Sequence, residues 1–119
     1  MAKDDYNVIK FKILVYLYAC AKRKLVFDEV AFKKAAGDIN EEYLMYILRN
    51  MQDDMYIKGL LFVKAWGNEY ILASSLQENP PEITSYGIEE VTDNDRTDKI
   101  KKMLIESADI IASLIKIVL

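Results

Sequence analysis

Between Asp5 and Arg23 apolar side chains recur with a helical period: on a wheel of about 100° per residue, Ile9, Ile13, Tyr16, Leu17 and Cys20 share one face. Phe11, Val15 and Tyr18 form a second apolar stripe on the back, leaving a narrow strip around Lys12 and Ala19 for water. A helix that is apolar nearly all round is buried on two sides, so the pattern predicts a further element that covers this one.

Three helix starts follow, each a small polar residue flanked by apolar side chains at the position before it and four after it. Phe27-Asp28 with Phe32 opens a short helix that Gly37 ends; Ile39-Asn40 with Leu44 opens a longer one, Glu41 to Met55; Ile83-Thr84 with Ile88 opens a third. The core stripe of the longer helix reads Leu44, Ile47, Leu48, Met51 and Met55. Lys58 to Ala65 and Tyr70 to Leu72 read as strands joined by a two-residue turn at Gly67-Asn68, and Leu25-Val26 as a brief extended segment. The tail from about Asp95 to Leu119 reads as one helix whose apolar residues, among them Ile105, Ile110 and Ile117, cover about two thirds of the wheel. One partner cannot cover so wide an arc. Glu106, Asp109 and Lys116 argue against a membrane span, so the tail is expected to pack on the first helix and on a second subunit, with a dimer interface of Phe11, Val15, Tyr18, Ile105, Ile110 and Ile117.

Helix, short strand, two helices and a hairpin is the element order of a winged helix-turn-helix. The expectation is therefore an α+β fold, with residues 1–92 a winged-helix domain and residues 93–119 an added C-terminal helix. The helix from Glu41 takes the recognition position, and the hairpin is the wing.

Composition narrows the function. The 119 residues suit one domain, and 52% hydrophobic against 29% charged residues excludes a disordered chain. The longest purely apolar run, Ile13 to Ala21, is too short to cross a bilayer, and no signal-peptide layout precedes it, so the expectation is a soluble, cytoplasmic protein with no membrane partner. With no histidine and one cysteine, the commonest general base and metal ligand are missing, and neither an enzyme, a metal nor a cofactor is expected. The net charge of −3 hides two patches: five bases against two acids in residues 22–34, and six acids with no base in residues 77–95. Such a balance argues against nonspecific grip on nucleic acid.

The helix from Glu41 to Met55 carries four acids against Arg49, so it docks poorly in a major groove. Its outward residues Met45, Tyr46, Arg49 and Asn50, with Trp66 on the wing, are candidates for contact with a protein partner, or Met45 and Tyr46 simply touch the tail. DNA is the alternative partner. Lys22, Arg23, Lys24, Lys33, Lys34 and Lys64 would hold its backbone if the fold brings them to one side. The acidic pairs Asp4-Asp5, Glu41-Glu42, Asp53-Asp54 and Glu89-Glu90 read as helix-end charges, since neighbours on a helix point about 100° apart.

The chain resembles the YjcQ family, small winged-helix proteins of Gram-positive bacteria and their phages and prophages. The residues that carry the resemblance are Asp4-Asp5-Tyr6, Ile39-Asn40-Glu41-Glu42-Tyr43 with Tyr46-Ile47-Leu48, Tyr56-Ile57-Lys58-Gly59, Lys64-Ala65-Trp66-Gly67, and Ile83-Thr84 with Gly87-Ile88-Glu89. The resemblance implies the fold and a bacterial or phage setting, and it brings no catalytic or metal-binding residue. Together these readings predict a non-enzymatic winged-helix module of regulation or interaction, in a bacterial or phage setting, that works as a homodimer.

Overall fold

The first apolar run becomes α1 (Tyr6–Ala21), and almost every side of it is buried in the computed structural model, which describes residues 4–119. Around it lie α2 (Glu29–Ala35), α3 (Glu41–Asp53), α4 (Ser85–Thr92), α5 (Asn94–Glu106) and α6 (Ala112–Val118), all packed against it. Two small antiparallel ladders complete an α+β fold: β1 (Ile57–Lys58) pairs with β4 (Glu82–Ile83), and β2 (Phe62–Lys64) with β3 (Tyr70–Leu72).

The three predicted N-caps form. Asp28 accepts from the Ala31 N–H, Asn40 from those of Glu42 and Tyr43, and Thr84 from that of Gly87, each satisfying donors that a helix start leaves free. Phe27 and Phe32 close over the first cap with ring centroids 5.2 Å apart, and Tyr16 joins them from α1. The Tyr16 hydroxyl donates to the Asp28 carbonyl and accepts from the Asp28 N–H, which fixes the chain's entry into α2.

Several expectations are corrected. The strip at Lys12 and Ala19 meets no water: Ala19 is fully buried and Lys12 is 2% exposed, because the tail covers it. The Lys12 ammonium is instead 3.2 Å from the Asp109 carboxylate. The tail is two helices, broken at Ser107 to Asp109. Ala108 takes a left-handed φ of 53°, and the N–H groups of Ala108 and Asp109 return to the Ile105 and Leu104 carbonyls, the paired closure that ends many helices. Asp109 then accepts from the Ile111 N–H and turns the chain into α6. Ile100, Leu104, Ile111, Ile115 and Val118 thereby enter the same core as α1.

Met55 is exposed and lies outside the core stripe of α3, since it sits in the left-handed position (φ 70°) just past the helix end. Leu25-Val26 forms no strand; the place beside β1 is taken by Glu82-Ile83. The predicted strand Lys58–Ala65 is interrupted at Gly59, whose φ of 95° turns the chain, and the Gln52 amide holds Leu60 by accepting from its N–H and donating to its carbonyl, both at 2.8 Å. The hairpin turn is a three-residue loop, Trp66–Asn68, closed by the Ala65 N–H on the Glu69 carbonyl, with Gly67 left-handed at φ 73°. Gly87 is required by packing: a Cβ there would run into the Tyr56 carbonyl and Ile83.

Candidate functional site

The outward side of α3 faces the hairpin, and Met45 and Tyr46 line a cleft with Glu69, Tyr70 and Ile71 of the hairpin. The Arg49 guanidinium lies 4.3 Å from the centre of the Tyr70 ring and spans the cleft by a cation–π contact. Tyr43 and Tyr46 stack along α3 with centroids 6.4 Å apart. Asn50 is half-buried on the same helix, and the Trp66 ring at the hairpin tip is 97% exposed.

The cleft continues along β3. Beyond Ile71 its floor and walls are made by Leu72 through Leu76 on one side and by Glu29, Lys33, Glu41 and Met45 on the other. Its acids, Glu29, Glu41, Glu42, Glu69 and Glu78, outnumber Lys33 and Arg49, and both cations are already engaged. Lys33 pairs with Glu41 at 3.2 Å and Glu29 at 3.9 Å, while Arg49 rests on Tyr70.

Two of the basic residues expected at a DNA backbone, Lys22 and Lys33, are engaged within the chain. Lys22 donates to the Val118 carbonyl at 3.0 Å and lies 4.6 Å from the centre of the Tyr18 ring, so it ties α6 to the end of α1. Lys33 is held at the acidic start of α3. Arg23 and Lys24 just past α1, Lys34 on α2 and Lys64 on β2 are exposed and have no carboxylate partner among the described residues. Of the six residues expected at a dimer interface, Phe11 and Val15 are buried by their own chain and Tyr18 is half-covered. Ile105, Ile110 and Ile117 remain on the outside of the tail, the last two 63% and 57% exposed.

Cys20 is half-buried in a hollow with Leu17, Leu25 and Ile83, and burial pushes its thiol up to about 11. Among the described residues, no group of three or more carboxylates or thiols could hold a metal ion, and no helix is long and apolar enough to cross a membrane. In a further hollow, Glu90 is shared by Arg96 at 3.0 Å and Lys10 at 3.5 Å, and burial, then the Glu90 charge, raise the Tyr56 hydroxyl above its ordinary value.

The sequence pattern had not pointed to Glu29, Glu69, Tyr70 or Ile71. The one local signal is the lack of alternation in β3: Tyr70 and Ile71 are apolar at successive positions, so a two-stranded hairpin carries one on each face and leaves both exposed. No curated protein and no solved structure matches the chain. A family model described as YjcQ protein matches residues 11–110, from the second turn of α1 to the turn before α6. The chain belongs to the YjcQ family.

Proposed function

We propose that this chain is a non-enzymatic interaction module of bacterial or phage regulation, a winged-helix variant that meets a protein partner through α3 and the hairpin. The order of α1, α2, α3 and the β2–β3 hairpin supports the winged-helix reading, with β4 supplying the strand beside β1. The observation that carries the function is the character of the cleft: exposed Tyr46, Tyr70 and Ile71 between acidic walls whose two cations are already occupied. Phosphates would meet Glu41 and Glu42 at the leading end of α3, which opposes groove docking.

An anisotropy titration of labelled duplex DNA over a salt series tests this reading. The expected result is no binding at about 150 mM salt, where screening removes weak phosphate contacts. Sequence-selective binding that is lost on Arg49→Ala would overturn it. Binding that falls steeply with salt and depends on Arg23, Lys24 or Lys64 would instead establish the DNA alternative.

The module is further proposed to work as a homodimer, supported by Ile105, Ile110 and Ile117, which the tail's own packing leaves in water. Burying such side chains is worth roughly 1.5 to 3 kcal/mol each, and a two-fold partner would recover it. Replacing Ile110 and Ile117 with lysine should shift the protein to monomer in sedimentation while its circular dichroism is unchanged. An unmodified protein that sediments as a monomer at high concentration refutes the dimer.

A further inference from the structure

The register of the hairpin decides what β3 offers. Phe62 lies opposite Leu72, Val63 opposite Ile71 and Lys64 opposite Tyr70, while the Ala65 N–H bonds the Glu69 carbonyl and the Ala73 N–H the Leu61 carbonyl. In an antiparallel ladder bonded and non-bonded pairs alternate, so Val63 and Ile71 exchange bonds, and Tyr70 and Leu72 turn their N–H and C=O groups away from β2. Among the described residues the hairpin ladder has two strands only, so these groups form an open edge. The cleft is lined by consecutive residues of this segment, from Glu69 onward. A strand face would contribute every second residue, whereas an edge contributes them all. The open edge therefore borders the cleft.

From these observations we infer that the cleft receives an extended, basic segment of a partner protein, which adds to β3 as a third strand. The inference rests on the interaction-module reading and names the partner's chemistry. Strand addition lets backbone groups supply affinity and alternate side chains supply selectivity. One alternate set would lie on the face of Tyr70, beside Tyr46 of α3, which favours apolar residues. The other would lie on the face of Ile71 and Glu69, and the carboxylates of Glu41, Glu42 and Glu78 add to the negative charge around the cleft, which favours lysine and arginine.

The test uses the intact protein and a labelled heptapeptide in which lysine or arginine alternates with valine, followed by anisotropy and by amide resonances. Binding should move the Tyr70 and Leu72 amides, and a glutamate–valine counterpart should bind at least about tenfold more weakly. Glu42→Gln with Glu69→Gln, both exposed, should weaken the basic peptide by about three- to tenfold. Methylating one alternate set of peptide amides should abolish binding, and methylating the other set should leave it intact, since only one set faces β3. Equal binding of the acidic peptide, or indifference to both methylation patterns, would overturn the inference. So would concentration-dependent shifts of the same two amides without peptide, which would make the occupant a second copy of this edge. Peptide failure with no DNA binding removes this inference alone; sequence-selective DNA binding lost on Arg49→Ala removes the interaction reading beneath it.

Discussion

Helix α1 is enclosed by its own chain, whereas α3 is covered on one side and turns Tyr46, Glu41 and Glu42 to water. Each helix is fitted to its place by its residues. The second stripe of α1, Phe11 and Val15, needs cover from beyond the three-helix core, and the C-terminal helices provide it. Only Leu44, Ile47, Leu48 and Met51 of α3 are buried, so its outer face is free to meet something else. The closed side thus holds the fold together, and the open side is where the chain has contact area to offer.

The ion pair between Lys12 and Asp109 is the sharpest mark of the closed side, with side chains 3% and 9% exposed. Removing one partner of such a pair strands the other charge, at a cost of about 3 to 5 kcal/mol. Asp109→Ala should therefore lower the urea midpoint more than any substitution on the outer face of α3, and the loss of its bond to the Ile111 N–H adds to the effect. The double variant Lys12→Met, Asp109→Leu should recover much of that loss, because no charge is left unpaired. A single-variant cost below about 1 kcal/mol would mean that the pair is wet, and the contrast between the two helices would fail.

The next effect lies at the junction of α1, β1 and α4. Gly87 faces the Tyr56 carbonyl and the side chains of Ile83 and Leu14, so Gly87→Ala forces backbone apart. Overpacking of this kind costs about 1 to 3 kcal/mol. Denaturant unfolding of this variant beside Arg49→Ala, whose residue stands at the open cleft, compares the two sides directly. Equal costs would show that the cleft is as tightly built as the core.

Cys20 gives the comparison a pH axis. Burial raises its thiol from an ordinary value near 9 to about 11, so the folded state favours the neutral form. That contribution to stability is complete below about pH 9 and is lost as pH rises through about 11. At pH 8 the thiol should react with a disulfide reagent about a hundredfold more slowly in the folded protein than in urea, which follows from the thiolate fraction. Comparable rates would place Cys20 outside the closed region.

What the sequence made legible follows the range of the interactions involved. The caps at Asp28, Asn40 and Thr84 depend on neighbours a few residues away, and each forms. The double stripe of α1 announced a covering element, since its width is a local property. The same pattern could not show Lys12 dry, because its partner Asp109 lies far along the chain, at a tail break with neither glycine nor proline to mark it. The cleft was half legible. Met45, Tyr46 and Arg49 followed from the helical wheel, but Glu69 and Tyr70 reach the site only through the Phe62–Leu72 register, and the Gln52 clamp on Leu60 that precedes it has no sequence signature.

The smallest effect belongs to Trp66, at the far end of the open side. Its ring is 97% exposed on the three-residue loop of the hairpin, so Trp66→Ser removes almost no buried area. Surface changes away from caps and cores usually stay within about 0.5 kcal/mol, and the urea midpoint should move no more than that. As the chain's single tryptophan, it reports without interference, and its emission should peak where free tryptophan does. Adding the basic peptide tests its place beside the cleft, which ends at Glu69, just past the loop. A blue shift on binding would extend the contact surface to the hairpin tip. Unchanged emission with retained affinity would confine contact to β3 and α3, and a strongly blue-shifted maximum in the free protein would put the ring in the core and remove the contrast at this position.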